Sequence, residues 1–120
     1  MTEAIIRIAS GDDALLKQSA ARFEKAWFSG KPQPAVFTFS TPAQLFSVIS
    51  PKRRELIERL QHIGPSTIRG LARELDRDIK RVHDEVTVLM EWGIVERDED
   101  GLVHVPYSVI HAAFDLKAVA

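Results

Sequence analysis

Residues 77–101 read RDIKRVHDEVTVLMEWGIVERDEDG, and two patterns meet inside this stretch. Ile79, Val82, Val86, Leu89 and Met90 recur at intervals of three and four, the spacing of one face of an α-helix. Asp78 precedes them as an N-cap candidate, and Gly93 stops the pattern. Beyond Gly93 the helical spacing ends. Ile94 to Arg97 and Leu102 to Pro106, on either side of Asp98-Glu99-Asp100-Gly101, are read as two alternating segments, which predicts a β-hairpin with an acidic turn.

Toward the N-terminus, the break Asp76-Arg77-Asp78 separates this helix from another short one. Ser66 is its N-cap candidate, and Ile68, Leu71, Ala72 and Leu75 mark its apolar face. Further back, Ser50-Pro51 opens a third amphipathic segment with Ser as N-cap and Pro at the first helical position. Leu56, Ile57, Leu60 and Ile63 carry its apolar face, and Gly64-Pro65 ends it. Three helices with a tight turn between the second and third, then a hairpin, predict an α+β fold. The order is that of a winged helix-turn-helix, three helices plus a β-hairpin wing, over residues 50–106. The competing reading is a three-helix core with a hairpin that serves packing alone.

Charge distribution bears on the choice. The net charge of −1 argues against indiscriminate nucleic-acid binding. Between Ser50 and His83, however, nine Lys and Arg face five acids, whereas the chain beyond Asp98 is acidic. A basic middle in a neutral chain suits a phosphate-facing patch on double-stranded DNA.

Turning the third helix by about 100° per residue puts Lys80, Asp84, Thr87 and Glu91 opposite the apolar face, flanked by Arg77, Arg81 and Val88. Lys80, Arg81, Asp84 and Thr87, on its early turns, are the candidates to reach base edges. Lys and Arg donate to guanine O6 and N7, and Asp accepts from cytosine N4. For Asp84 an ion pair with Lys80, four residues earlier, is the favoured alternative. His83, at the edge of the apolar arc, is read as a partly buried His bonded to backbone in preference to a base reader. Phosphate contacts are assigned to Lys52, Arg53, Ser66, Thr67, Arg69 and Arg73, with Arg97 and His104 as wing contacts at the strand ends, and Arg77 is counted among the DNA-binding residues as a flank of the reading face. Arg54 and Arg59 read as solvated surface. The tip Asp98-Glu99-Asp100 is expected to point away from DNA or toward a partner, because phosphates repel it.

Five stretches together resemble a prokaryotic family of predicted transcriptional regulators with a MarR-like or ArsR-like winged helix. They are PKRREL (51–56), GPS (64–66), RDIKRVHDEV (77–86), GIVERDEDG (93–101) and VPYSVI (105–110). The N-terminal part is similar too, with a strand, a helix ending near Trp27, and Val36-Phe37-Thr38-Phe39-Ser40 leading into the first domain helix. Ser108 departs from the acid expected after Pro-Tyr. The resemblance implies sequence-specific DNA binding, and an antitoxin role in those members that stand beside toxin-like genes.

The flanks predict a small strand-helix-strand extension over residues 1–49. Its strands are Ile5 to Ile8 and Val36 to Phe39, and its helix runs from Asp12 to Phe28. Residues 107–120 are expected to form a strand or a helix packing on that extension. Since proteins of this kind read two half-sites, the extension is assigned to homodimerisation.

Several classes are set aside. The chain has no cysteine, so disulfides, thiolate nucleophiles and Cys-based zinc sites are excluded. His62, His83, His104 and His111 lack metal-ligand spacing, and no Gly-rich phosphate loop or nucleophile elbow occurs. No enzyme activity and no cofactor are expected. No apolar run approaches the ~20 residues that span a bilayer, and the start does not read as a secretory signal, so the expected location is the cytoplasm. Two function classes stay open: a dimeric DNA-binding repressor, with autoregulation as an antitoxin one form of it, or an interaction module that neutralises a partner such as a toxin.

Overall fold

A computed structural model describes residues 2–8 and 34–112. The protein is α+β, with four helices and two small sheets among the described residues. Two compact units divide within the first helix. One spans Phe46–Ser108, and the other contains the strands of the larger sheet.

In that sheet β1 (Glu3–Ile8) is central, with β2 (Ala35–Phe39) on one side and β5 (Val109–Ala112) on the other, both parallel to it. Ala4 aligns with Ala35 and Ile8 with Phe39, while Glu3 aligns with Val109. Ile5, Ile6, Ile8, Val36, Val109 and Ile110 are β-branched residues that suit a pleated surface. Ala4 and Ile6, two apart on β1, are buried, as is Phe39. Parallel neighbours cannot be joined by a tight turn. Residues 9–34 therefore connect β1 to β2, and the whole helical unit is inserted between β2 and β5. The terminal segment expected as strand or helix is a strand over Val109–Ala112. The helix expected over Asp12–Phe28 lies outside the described residues.

Helix α1 (Pro42–Val48) was not anticipated from the sequence, although its signal is there. Thr41-Pro42-Ala43-Gln44 has the spacing of a capping box with Pro at the first helical position. The Thr41 hydroxyl accepts from the Gln44 amide at 3.1 Å, and Gln44 Oε1 reaches back to the Ser40 amide at 2.7 Å. Its seven residues, with only Leu45 and Val48 buried, are too short to show a helical period.

The helical unit continues with α2 (Pro51–Ile63), α3 (Ile68–Leu75) and α4 (Ile79–Glu91). Ser50 caps α2, accepting from the Arg53 amide, and Asp78 caps α4, accepting from the Arg81 amide. For α3 the cap is Thr67, whose hydroxyl accepts from the Gly70 amide at 2.9 Å; the expected cap, Ser66, sits one residue too early. Ser66 instead extends its backbone against Val103, donating to the Val103 carbonyl at 3.0 Å and accepting from its amide at 2.8 Å.

Two helices end in the same motif with different residues. At the end of α4, Gly93 takes φ +81°, its amide reaches Met90 O, and the Ile94 amide reaches Leu89 O. That is a Schellman turn, with buried Ile94 two residues past the C-cap Trp92. At the end of α3, Asp76 occupies the equivalent left-handed position at φ 53°, with the Asp76 amide on Arg73 O and the Arg77 amide on Ala72 O. A left-handed conformation disfavours any residue with a Cβ.

The core of the unit comprises Leu56, Ile57 and Leu60 of α2, Leu71 and Ala72 of α3, and Val82, Val86 and Leu89 of α4. Ile94, Val95 and Val103 from the hairpin complete it. Helix α3 packs against both α2 and α4. Ile79, expected in the apolar stripe of α4, is 45% exposed because it belongs to the first turn, beyond the reach of the core. The hairpin is short: β3 (Glu96–Arg97) pairs antiparallel with β4 (Val103–His104). With Ser66 on its other side, β4 is flanked by two extended segments.

Candidate nucleic-acid interface

The outward face of α4 follows from its buried one. Val82, Val86 and Leu89 are buried, so Lys80, Asp84 and Thr87 point outward with Arg81 alongside, and all four are exposed. A groove of about 320 Å³ runs past Arg53, Asp78, Lys80, Arg81, Asp84, Glu85 and Val88. A larger hollow of about 470 Å³ lies elsewhere, lined by Glu55, Glu58, Arg59, His62, Glu74, Leu75 and Arg77. Each hollow carries three carboxylates, but Arg59 and Arg77 of the larger one are paired with acids, whereas Lys80 and Arg81 of the smaller one make no ion pair among the described residues, so the smaller groove is the better candidate.

The sequence-predicted residues separate into two groups. Lys52, Arg69, Arg73, Lys80, Arg81 and Arg97 are exposed and make no ion pair among the described residues. Arg69 and Arg73 stand one turn apart on α3 and share a face, as expected from their spacing. Such cations remain available to an external anion.

Arg53 and Arg77 are engaged within the fold. Arg53 Nη1 donates to the carbonyls of Ser47 at 2.9 Å and Val48 at 3.0 Å, bracing the turn between α1 and α2. Arg77, between α3 and α4, donates Nη1 to the Lys52 carbonyl at 3.1 Å and Nη2 to the Glu55 carboxylate. Its Nη1 also stands 3.7 Å from Glu85 on α4, and the two side chains are only 15% and 14% exposed. This half-buried cation ties the start of α4 to α2. Arg53 thus lacks the free guanidinium expected for a phosphate contact, and Arg77 lacks the one expected of a DNA-binding residue beside the outward face.

Other expectations are corrected in detail. Asp84 forms no ion pair with Lys80; its nearest charged or titratable neighbour is His83, with Nδ1 at 3.6 Å. His83 is exposed rather than partly buried, because its position lies about 100° from Val82, outside the core-facing arc. The Thr87 hydroxyl donates to the His83 carbonyl at 2.8 Å, leaving its lone pairs as acceptors. The Thr67 hydroxyl caps α3, and Ser66 Oγ donates to the Thr67 carbonyl at 2.9 Å. A Cβ at Gly70 would come within 3.0 Å of Ser66 Oγ and 3.1 Å of Thr67 Oγ1, so these hydroxyls and the first turn of α3 are closely fitted. Arg54 pairs with Glu58 at 2.9 Å and Arg59 with Glu74 at 3.9 Å, on the exposed surface where both arginines were expected.

At the hairpin tip, Asp98 is part of the turn itself. Its Oδ1 accepts from the amides of Asp100 and Leu102, both at 2.9 Å, while its carbonyl accepts from Gly101 at φ +82°. Aspartates favour such turns because the side chain mimics a backbone acceptor. In sequence the tip reads as three equivalent charges; in the fold Asp98 is held in the turn, which leaves Glu99 and Asp100 to act that way. Past β4, Gln61 Nε2 donates to the Tyr107 carbonyl at 2.9 Å. Burial, and secondarily the Glu96 carboxylate, raise the Tyr107 phenol above its ordinary pKa of 10.0.

Among the described residues no grouping of His, Asp and Glu could hold a metal ion, and no helix is long and apolar enough to cross a membrane.

The fold thus defines a small α+β protein whose helical unit carries unpaired cations on exposed helix faces. The chain belongs to the HVO_A0114 family, whose family model matches residues 48–112, more than half of the chain. That span covers α2 to β5, so the family and the helical unit largely coincide. No curated protein and no solved structure matches the chain.

Proposed function

We propose that this protein is a sequence-specific DNA-binding transcriptional regulator, with residues 50–106 acting as a winged helix-turn-helix of the MarR-like or ArsR-like kind. The observation that carries the reading is the outward face of α4, where Lys80 and Arg81 are exposed and without a carboxylate partner among the described residues. Two further features support it. The element order α2, Ser66 bridge, α3, α4, β3, β4 matches that architecture, with α3 bracing the helix that enters the major groove. Arg69 and Arg73 on α3, Lys52 at the start of α2 and Arg97 on β3 are then the phosphate contacts. Arg53 and Arg77 act indirectly, by holding α2 and α4. Acting on double-stranded DNA with two half-sites, the protein works as a homodimer in the cytoplasm, as a repressor.

The test is titration of the protein against duplex DNA from upstream of its own gene, at 50 mM and 200 mM salt. Specific binding that weakens steeply with salt is the expected result, because each neutralised phosphate releases counterion. Lys80→Ala and Arg81→Ala should each weaken it by ~1–3 kcal/mol where the side chain grips a base, with no change in melting temperature. Binding that ignores salt and both substitutions would refute the assignment.

A further inference from the structure

The middle of the outward face of α4 is occupied by an acid, which a surface built only to attract phosphates would not place there. Measured from Val82, and at about 100° per residue, Asp84 lies about 200° around the helix, between Lys80 at about 160° and Arg81 at about 260°. Its side chain is 69% exposed, and neither cation pairs with it. The nearest partner, His83 Nδ1 at 3.6 Å, is too far for a hydrogen bond. The same groove brings Asp84 together with Lys80, Arg81 and Val88; of the other acids lining it, Asp78 caps the helix and Glu85 stands against Arg77, which leaves Asp84 as its outward acid.

Resting on the DNA-binding reading above, we propose that Asp84 is a specificity-determining residue that requires a C·G base pair opposite it, accepting a hydrogen bond from the cytosine N4 amine. An ionised carboxylate only accepts hydrogen bonds. Guanine O6 and N7 and thymine O4 are acceptors and repel it, leaving the amines of cytosine and adenine. Adenine N6 lies between two acceptors, its own N7 and the paired thymine O4, so the second carboxylate oxygen meets one on either side, whereas cytosine N4 has an acceptor only on its guanine side and the C5–H on the other. The paired guanine offers O6 and N7 to Lys80 or Arg81 on the flanks. One acid between two cations therefore matches the donor and acceptor pattern of one C·G pair. On every other pair the acid is repelled, and that repulsion supplies the discrimination.

The experiment is selection from a random duplex pool by the full chain, as wild type, Asp84→Asn and Asp84→Ala, followed by affinity measurements on the selected sites. Wild type should select a fixed C·G pair whose replacement weakens binding about ten- to a hundredfold. Asp84→Ala should bind DNA more tightly overall and lose that preference. Asp84→Asn should move the preference toward A·T, since an amide both accepts from adenine N6 and donates to N7. All three proteins selecting the same motif, with the variants merely tighter, would overturn the inference and leave DNA binding intact. A wild type that retains no duplex even at low salt would overturn the DNA-binding reading itself, and this inference with it.

Discussion

Removing the Arg77 guanidinium tests how the helical unit holds α4. In Arg77→Ala, the Lys52 carbonyl loses its donor, Glu55 loses an exposed partner, and Glu85, at 14% exposure, loses the cation 3.7 Å away. A hydrogen bond from a charged group contributes ~1.5–3 kcal/mol. The Glu55 pair adds at most ~1 kcal/mol, because its carboxylate is 67% exposed. Leaving Glu85 unpaired costs about 1 kcal/mol more, at the low end of the range because it retains some access to water. The expected loss is about 3 kcal/mol, a large share of the ~5–15 kcal/mol that stabilises a domain. At ~4–8 °C per kcal/mol for a unit of this size, the melting temperature should fall by ~12–24 °C. Thermal and urea denaturation would measure it, at low salt and at 1 M salt. Most of the loss should persist at high salt, since the largest part is the hydrogen bond to the Lys52 carbonyl and the Glu85 pair is shielded from counterions, so that salt screens chiefly the exposed Glu55 pair. Arg77→Met with Glu85→Leu should recover much of the stability, because an apolar pair needs no compensation. A drop below ~2 °C in Arg77→Ala, or a double variant no better than the single, would refute the bracing role.

Asp76→Gly should raise stability by ~0.5–1 kcal/mol, read as a higher melting temperature, because Asp76 holds a left-handed φ of 53° that glycine adopts without strain. Asp98→Ala should loosen the hairpin by ~1–2 kcal/mol through loss of its two amide contacts, while Asp98→Asn retains the acceptor and most of the stability. Glu99→Gln with Asp100→Asn should leave the fold unchanged and strengthen DNA binding modestly, more at low salt than at high; weaker binding would mean that these acids contact the DNA complex directly. For Tyr107, the folded protein holds the phenol proton to higher pH than the unfolded chain does. Its contribution is therefore complete below pH 10 and falls as pH rises through the folded value. Urea titrations above pH 10 should show wild type losing stability relative to Tyr107→Phe, and parallel curves would contradict the raised pKa.

What the sequence determined by itself is local. Ser50-Pro51, Asp78, Gly64 and Gly93 mark helix ends through contacts within three or four residues, so the bounds of α2 and α4 were readable from the chain. The hairpin was readable from its Asp-x-x-Gly turn, a short-range feature, although its first arm does not alternate: Ile94 and Val95 are both buried, and Glu96 and Arg97 are both exposed. The outward residues of α4 followed from the helical period, which also places Lys80, Asp84 and Thr87 opposite the core. Tertiary structure decided the rest, through groups far apart in the chain. Arg77 reads as one more surface cation until the fold brings Lys52, Glu55 and Glu85 around it. Ser66 has the composition of a cap, yet Val103 draws its backbone into a bridge and leaves capping to Thr67. Strand order in the β2-β1-β5 sheet is likewise invisible to periodicity. A period reports which face of a strand is buried, and only pairing in space selects the neighbour and its direction.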